Sequence, residues 1–86
     1  MADMDQAVIR DQIREYIQQA TFAEKDKIKN DSLIFKEGYF DSMGFVVLIT
    51  YLEENFGVKT TDTDLVEDNF ESINAITDFI IRKKGN

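Results

Sequence analysis

The chain has 86 residues, 43% of them hydrophobic, with no cysteine, no histidine and a formal charge of −7. That is enough for one small domain with one core, held by helix packing and not by disulfides. The missing residue types exclude Ser-His and Cys-His nucleophilic pairs and ordinary zinc sites. Acidity disfavours nucleic acid and anionic membranes as partners, and so short a chain has little room for a closed pocket that would tune carboxylates for catalysis. No stretch is apolar enough to span a bilayer, and Met1 to Asp5 lack the basic head of a signal peptide, so a cytoplasmic location is expected.

From Met4 to Ala20 the apolar residues Ile9, Ile13, Tyr16, Ile17 and Ala20 recur at helical spacing, which predicts an amphipathic helix with Arg10, Arg14, Gln18 and Gln19 mostly off its buried stripe. Periodicity then fails. Residues 21–41 mix charged and polar positions with Leu33-Ile34-Phe35 and Tyr39-Phe40, a long loop pinned to the core by its aromatics. A second helix starts at Ser42, a favoured N-cap residue, and runs to Asn55 or Phe56 before Gly57 stops it. After a short extended piece at Val58 to Thr61, the acidic run Asp62 to Asp68 is expected to hold one or two turns around Leu65 and Val66. The last helix is expected from Ser72, burying Ile73, Ile76 and Ile80 with Phe79 flanking, and Arg82, Lys83 and Lys84 meet the negative end of its dipole. The predicted fold is all-α: one domain over residues 1–86, a small bundle of three main helices plus one short helix.

The second helix has two apolar faces. Phe45, Leu48, Ile49, Leu52 and Phe56 form the core stripe. Met43, Val46 and Val47, joined by Thr50, point away from it, where a helix in a small bundle should be polar. Either the loop 21–41 covers this second face, or it is an exposed strip flanked by Glu53 and Glu54 that docks partners. Charge bears on the same choice. Residues 37–71 carry nine acids, Asp62 and Asp64 among them, against Lys59 alone, while the rest of the chain nearly cancels. Such a segment is a solvated surface or a docking face for basic partners. Gly44, inside the helix, costs about 1 kcal/mol relative to alanine, and nothing in the sequence gives a packing reason for it.

Three runs carry a resemblance. Gly38-Tyr39-Phe40-Asp41-Ser42-Met43 resembles the signature of the acyl carrier protein family, glycine, two residues, then Asp-Ser-Leu or Asp-Ser-Met. Leu52-Glu53-Glu54-Asn55-Phe56-Gly57 and Glu67-Asp68-Asn69-Phe70-Glu71-Ser72-Ile73 resemble two further family motifs, in register over roughly residues 5–84. The resemblance implies a discrete four-helix carrier whose Ser42 takes 4′-phosphopantetheine from coenzyme A, with magnesium and a separate phosphopantetheinyl transferase that Asp41 assists. It also implies a recognition helix headed by Ser42, read by basic patches on acyl-loading and acyl-transfer enzymes, and a monomer that serves enzymes without being one. Its arm supplies the thiol this chain lacks. Gly44 and Val47 depart from the family: carriers of fatty-acid synthesis usually have acids there, which favours a specialised metabolite or lipid pathway. An aminoacyl or peptidyl carrier and a helical interaction domain without a prosthetic group are the competing readings. A calcium loop is excluded, because Val66 and Glu67 stand where an oxygen ligand and glycine belong.

Overall fold

The computed structural model describes residues 6–21 and 27–84. They form α1 (Gln6–Thr21), α2 (Ser42–Phe56), a single 3-10 turn (Asp62–Asp64), α3 (Glu67–Phe70) and α4 (Ile73–Lys84), with no strand among them. Three long helices and short connecting turns match the predicted class. Met4 and Asp5, at the expected start of the first helix, lie outside the described residues, as does the loop segment 22–26.

Ile9, Ile13 and Ile17 of α1 are fully enclosed, as spacing by one turn requires. Ala20, placed on the same stripe by its spacing, is exposed, one turn past the end of the packed surface. The two arginines beside the stripe tie α1 to other segments. Arg10 Nε donates to Asn74 Oδ1 on α4 at 3.1 Å, and Arg14 donates to the Ile28 carbonyl at 3.3 Å and to the Asn30 side chain. α4 packs against α1 and α3 and buries Ile73, Ile76, Phe79 and Ile80. Phe79 is therefore core and not flank. It is reached by the edge of the Phe70 ring at 4.9 Å, which extends the buried sector by one residue.

The loop before α2 buries Ile28 and Ile34 completely, and Phe35, Tyr39 and Phe40 partly. Its backbone groups are satisfied at a distance: Ile34 N–H donates to the Glu71 carbonyl and Asn74 N–H to the Asn30 carbonyl, both at 2.9 Å. The Ile34 carbonyl accepts from the N–H groups of Tyr39 and Phe40, and Gly38 supplies the positive φ of 86° that this reversal needs. The described part of the loop, residues 27–41, is thus held on the α3–α4 junction, and it leaves Met43, Val46 and Val47 on the outer face of α2 exposed.

α2 ends as its sequence indicates. Gly57 adopts the left-handed conformation at φ 68° and donates to the Glu53 carbonyl, while Lys84 Nζ donates to the Phe56 carbonyl. Leu48, Leu52 and Phe56 are buried, and Phe45 and Ile49 pack half-buried at the margin. No extended pairing forms at residues 58–61. The acidic run divides into the 3-10 turn and α3, so Leu65 and Val66 lie between the two turns and not within either.

Candidate functional site

The head of α2 differs from the sequence expectation in one atom's employment. Asp41, not Ser42, is the N-cap: its backbone is extended (φ −110°, ψ −168°), its carboxylate accepts from Gly44 N–H at 2.9 Å, and its carbonyl accepts from Phe45 N–H. Asp and Ser cap about equally well, so their adjacency leaves the choice to local backbone geometry. Ser42 is then the first helical residue, exposed, with its hydroxyl in no hydrogen bond among the described residues. Its own N–H and that of Met43 remain at the positive end of the helix, a place that favours an anion.

Gly44 has a packing reason after all. A Cβ there would stand 2.5 Å from Phe40 Cδ1, so only glycine lets the Phe40 ring lie against the first turn of α2. From Phe40 a series of rings runs inward through Phe35, Phe45 and Phe70 to Phe79, with centroids 4.9–5.9 Å apart. Beside this series a groove of about 500 Å³ opens next to Ser42, walled by Phe35, Phe40, Phe45, Val46 and Leu65.

The second face of α2 is exposed. Met43 is 71% exposed, Val46 59% and Val47 51%, and across the groove Leu65 and Val66 extend the apolar strip, an extension that the sequence reading missed. The acids proposed to flank it separate into two kinds. Glu54 and Asp62 are exposed. Glu53 and Asp64 have structural partners that sequence spacing does not reveal. Glu53 Oε2 accepts from the N–H and hydroxyl of Thr60, at 3.1 and 2.8 Å, and these bonds hold its carboxyl below the usual range. Asp64 Oδ2 accepts from Lys83 Nζ at 2.8 Å and from Thr61, which lowers its pKa, the Lys83 bond contributing most.

These two carboxylates tie the 57–64 segment to α2 and α4, and the tie is pH-dependent. A folded-state pKa below the unfolded value gives stability that is complete above the ordinary carboxylate range, about 4, and is lost as pH falls through the lowered value. Relief of repulsion among the other acids runs the opposite way, so the contribution is isolated by comparison with a variant. Asp64→Asn should have a lower urea midpoint than the parent at pH 7, and the gap should narrow as pH falls below about 4. A gap that persists unchanged at pH 3 would assign the loss to something other than the charge.

A small all-helical domain of this architecture has the acyl-carrier type of fold. A family model described as "Phosphopantetheine attachment site" matches residues 11–80, most of the chain, and the chain belongs to that family. Members carry covalently attached 4′-phosphopantetheine, so this is a phosphopantetheine carrier protein. Carrier domains are not themselves catalytic and work by interacting with partner enzymes. No helix among the described residues is long and apolar enough to cross a membrane. The residues present fit the group: an exposed hydroxyl without a partner, free N–H groups for a phosphate, and a groove beside it for an arm.

Proposed function

We propose that the chain is a single-domain acyl carrier protein, with Ser42 the attachment residue and Asp41 its positioning neighbour. One observation carries this reading: Asp41 does the capping, which leaves the Ser42 hydroxyl exposed and without a hydrogen bond. When bound, the arm supplies a terminal thiol that holds an acyl group as a thioester. In the modification, Ser42 Oγ forms a bond to the β-phosphorus of coenzyme A, the pyrophosphate P–O bond breaks, 3′,5′-ADP leaves, and the hydroxyl proton passes to the transferase. Asp41 orients the first turn for this attack through its bonds to Gly44 and Phe45. Incubation with coenzyme A, magnesium and a phosphopantetheinyl transferase is expected to add the mass of one phosphopantetheinyl group, located on the Ser42 peptide. Addition elsewhere overturns the assignment.

The partners are that transferase and the acyl-loading and acyl-transfer enzymes of a specialised metabolite or lipid pathway, which present basic docking patches. Glu54 and Asp62, exposed beside the strip, support electrostatic steering, which governs encounter rate and salt dependence more than fit. Met43, Val46 and Val47 set the fit. Val47→Glu should melt within about 0.5 kcal/mol of the parent, as exposed changes do. It should nevertheless impair loading by the pathway's own enzyme, because an unpaired carboxylate buried at an interface is strongly disfavoured. Unchanged loading would remove Val47 from the docking surface.

A further inference from the structure

A second groove, of about 320 Å³, lies on the opposite side of the α2 N-terminus, walled by Tyr16, Tyr39, Phe40, Gly44 and Val47. We propose that it is a second cargo seat, which takes a short acyl group bearing a hydrogen-bond acceptor beyond the thioester; this rests on the reading that Ser42 bears the arm.

Position makes the seat reachable. Phe40 and Asp41 belong to the walls of both grooves, so the residue after them, Ser42, stands between the two, and a chain anchored there reaches either side. The Phe40 ring, laid against Gly44, is the partition.

Chemistry separates the two seats. The larger groove is walled mostly by phenylalanine rings and aliphatic side chains, with Asp41, Ser42 and Glu67 also on its lining. None of these described residues brings a buried unpaired donor, and the apolar part of the groove suits a saturated chain. The smaller one includes Tyr16, whose hydroxyl is enclosed and has no hydrogen-bond partner; among the described residues it is the one buried side-chain polar atom in that condition. Buried hydroxyls are nearly always paired, and one left unpaired points to a group that arrives later. The ring is held for that guest. It stacks on Tyr51 at 4.0 Å with the planes 15° apart, and Tyr51 in turn donates to the Gln12 carbonyl. Burial raises the Tyr16 pKa further, so the hydroxyl stays a neutral donor. A guest reaches it by displacing a ring of the wall. About 320 Å³ is at the small end of ligand cavities and is ample for a short acyl group.

The test loads the nitrogen-15-labelled full chain with butanoyl or 3-oxobutanoyl arms, transferred from the corresponding coenzyme A thioesters. Intact mass verifies loading first. The 3-oxobutanoyl form is expected to shift the amides of Tyr16, Tyr39 and Val47, and the butanoyl form those of Phe45 and Leu65. Tyr16→Phe should load equally and melt no lower than the parent, since it loses only an unpaired hydroxyl, yet the 3-oxobutanoyl shifts at Tyr39 and Val47 should disappear. Full loading with shifts on the Phe45 side for both cargoes, or shifts unaffected by Tyr16→Phe, overturns the second seat alone. Failure to load at Ser42 overturns the attachment reading and this inference with it.

Discussion

Ser42→Ala should abolish phosphopantetheinylation altogether while leaving the melting transition where it was. The two halves of this result have separate physical causes. Loss of the hydroxyl removes the only oxygen that the proposed attachment can use at the head of α2, so the mass gain should fall to nothing. Stability should hold because Ser42 is exposed, its side chain bonds to nothing among the described residues, and alanine is the better helix former at a first helical position. The cap is untouched, since Asp41 still accepts from Gly44 N–H. Were Ser42 the cap, the same substitution would cost about 0.5–2 kcal/mol. Thermal unfolding and intact mass on one variant therefore test the geometry and the chemistry independently. Modification that survives in Ser42→Ala would sink the attachment assignment, and a clearly lower melting temperature would sink the capping assignment.

The largest effect on stability is expected from Phe70→Ala. Phe70 is completely buried and meets the rings of Phe45 and Phe79 edge-on, at 5.3 and 4.9 Å. It is also the one buried residue of α3, which has four residues and is far too short to persist by itself. Truncating a buried phenylalanine costs about 3–5 kcal/mol, through lost transfer energy and the cavity left behind. A domain of this size has a total stability of roughly 4–13 kcal/mol, so the variant should lose a large share of it. The urea midpoint is the measurement. A loss under about 1 kcal/mol would mean that the neighbouring rings collapse into the space.

What the sequence could disclose follows from how local each cause is. The stripes Ile9-Ile13-Ile17 and Leu48-Leu52-Phe56 were legible because helical periodicity alone decides which residues share a face. The two-faced character of α2 was legible for the same reason, but not its exposure. That depended on where the preceding loop went, and the loop was drawn away by Glu71 and Asn74, more than thirty positions on in the chain. Which of Asp41 and Ser42 caps the helix was undecidable from residue type, since both are good caps and the backbone torsions choose. Gly44 looked like a plain helix defect until the Phe40 ring was seen against it. Glu53 and Asp64 looked like free docking acids because nothing in the local sequence announces Thr60 and Lys83 as their partners. The family motifs were the guide to Ser42 as the proposed attachment residue, and the geometry adds that its hydroxyl is exposed and bonds to nothing among the described residues.

The loop's anchoring also bears on the order of assembly. Its bonds run from Asn30 to Asn74 and from Ile34 to Glu71, and Arg10 of α1 reaches the same Asn74. Arg14 of α1 can hold the loop at Ile28 and Asn30 from the start. Glu71 and Asn74, however, are not there for it until the last helix has docked, and closure over such separations comes late in folding compared with local helix formation. During synthesis Ser42 leaves the ribosome well before Asn74 does. The serine is therefore made early, on a helix that can cap itself through Asp41, but the loop that carries Phe35 and Phe40 beside it gains its bonds to Glu71 and Asn74 only when the C-terminal part of the chain arrives. A modifying enzyme that reads the Ser42 turn alone could act on the partly made chain; one that reads Phe40 or Leu65 as well must wait for the whole domain.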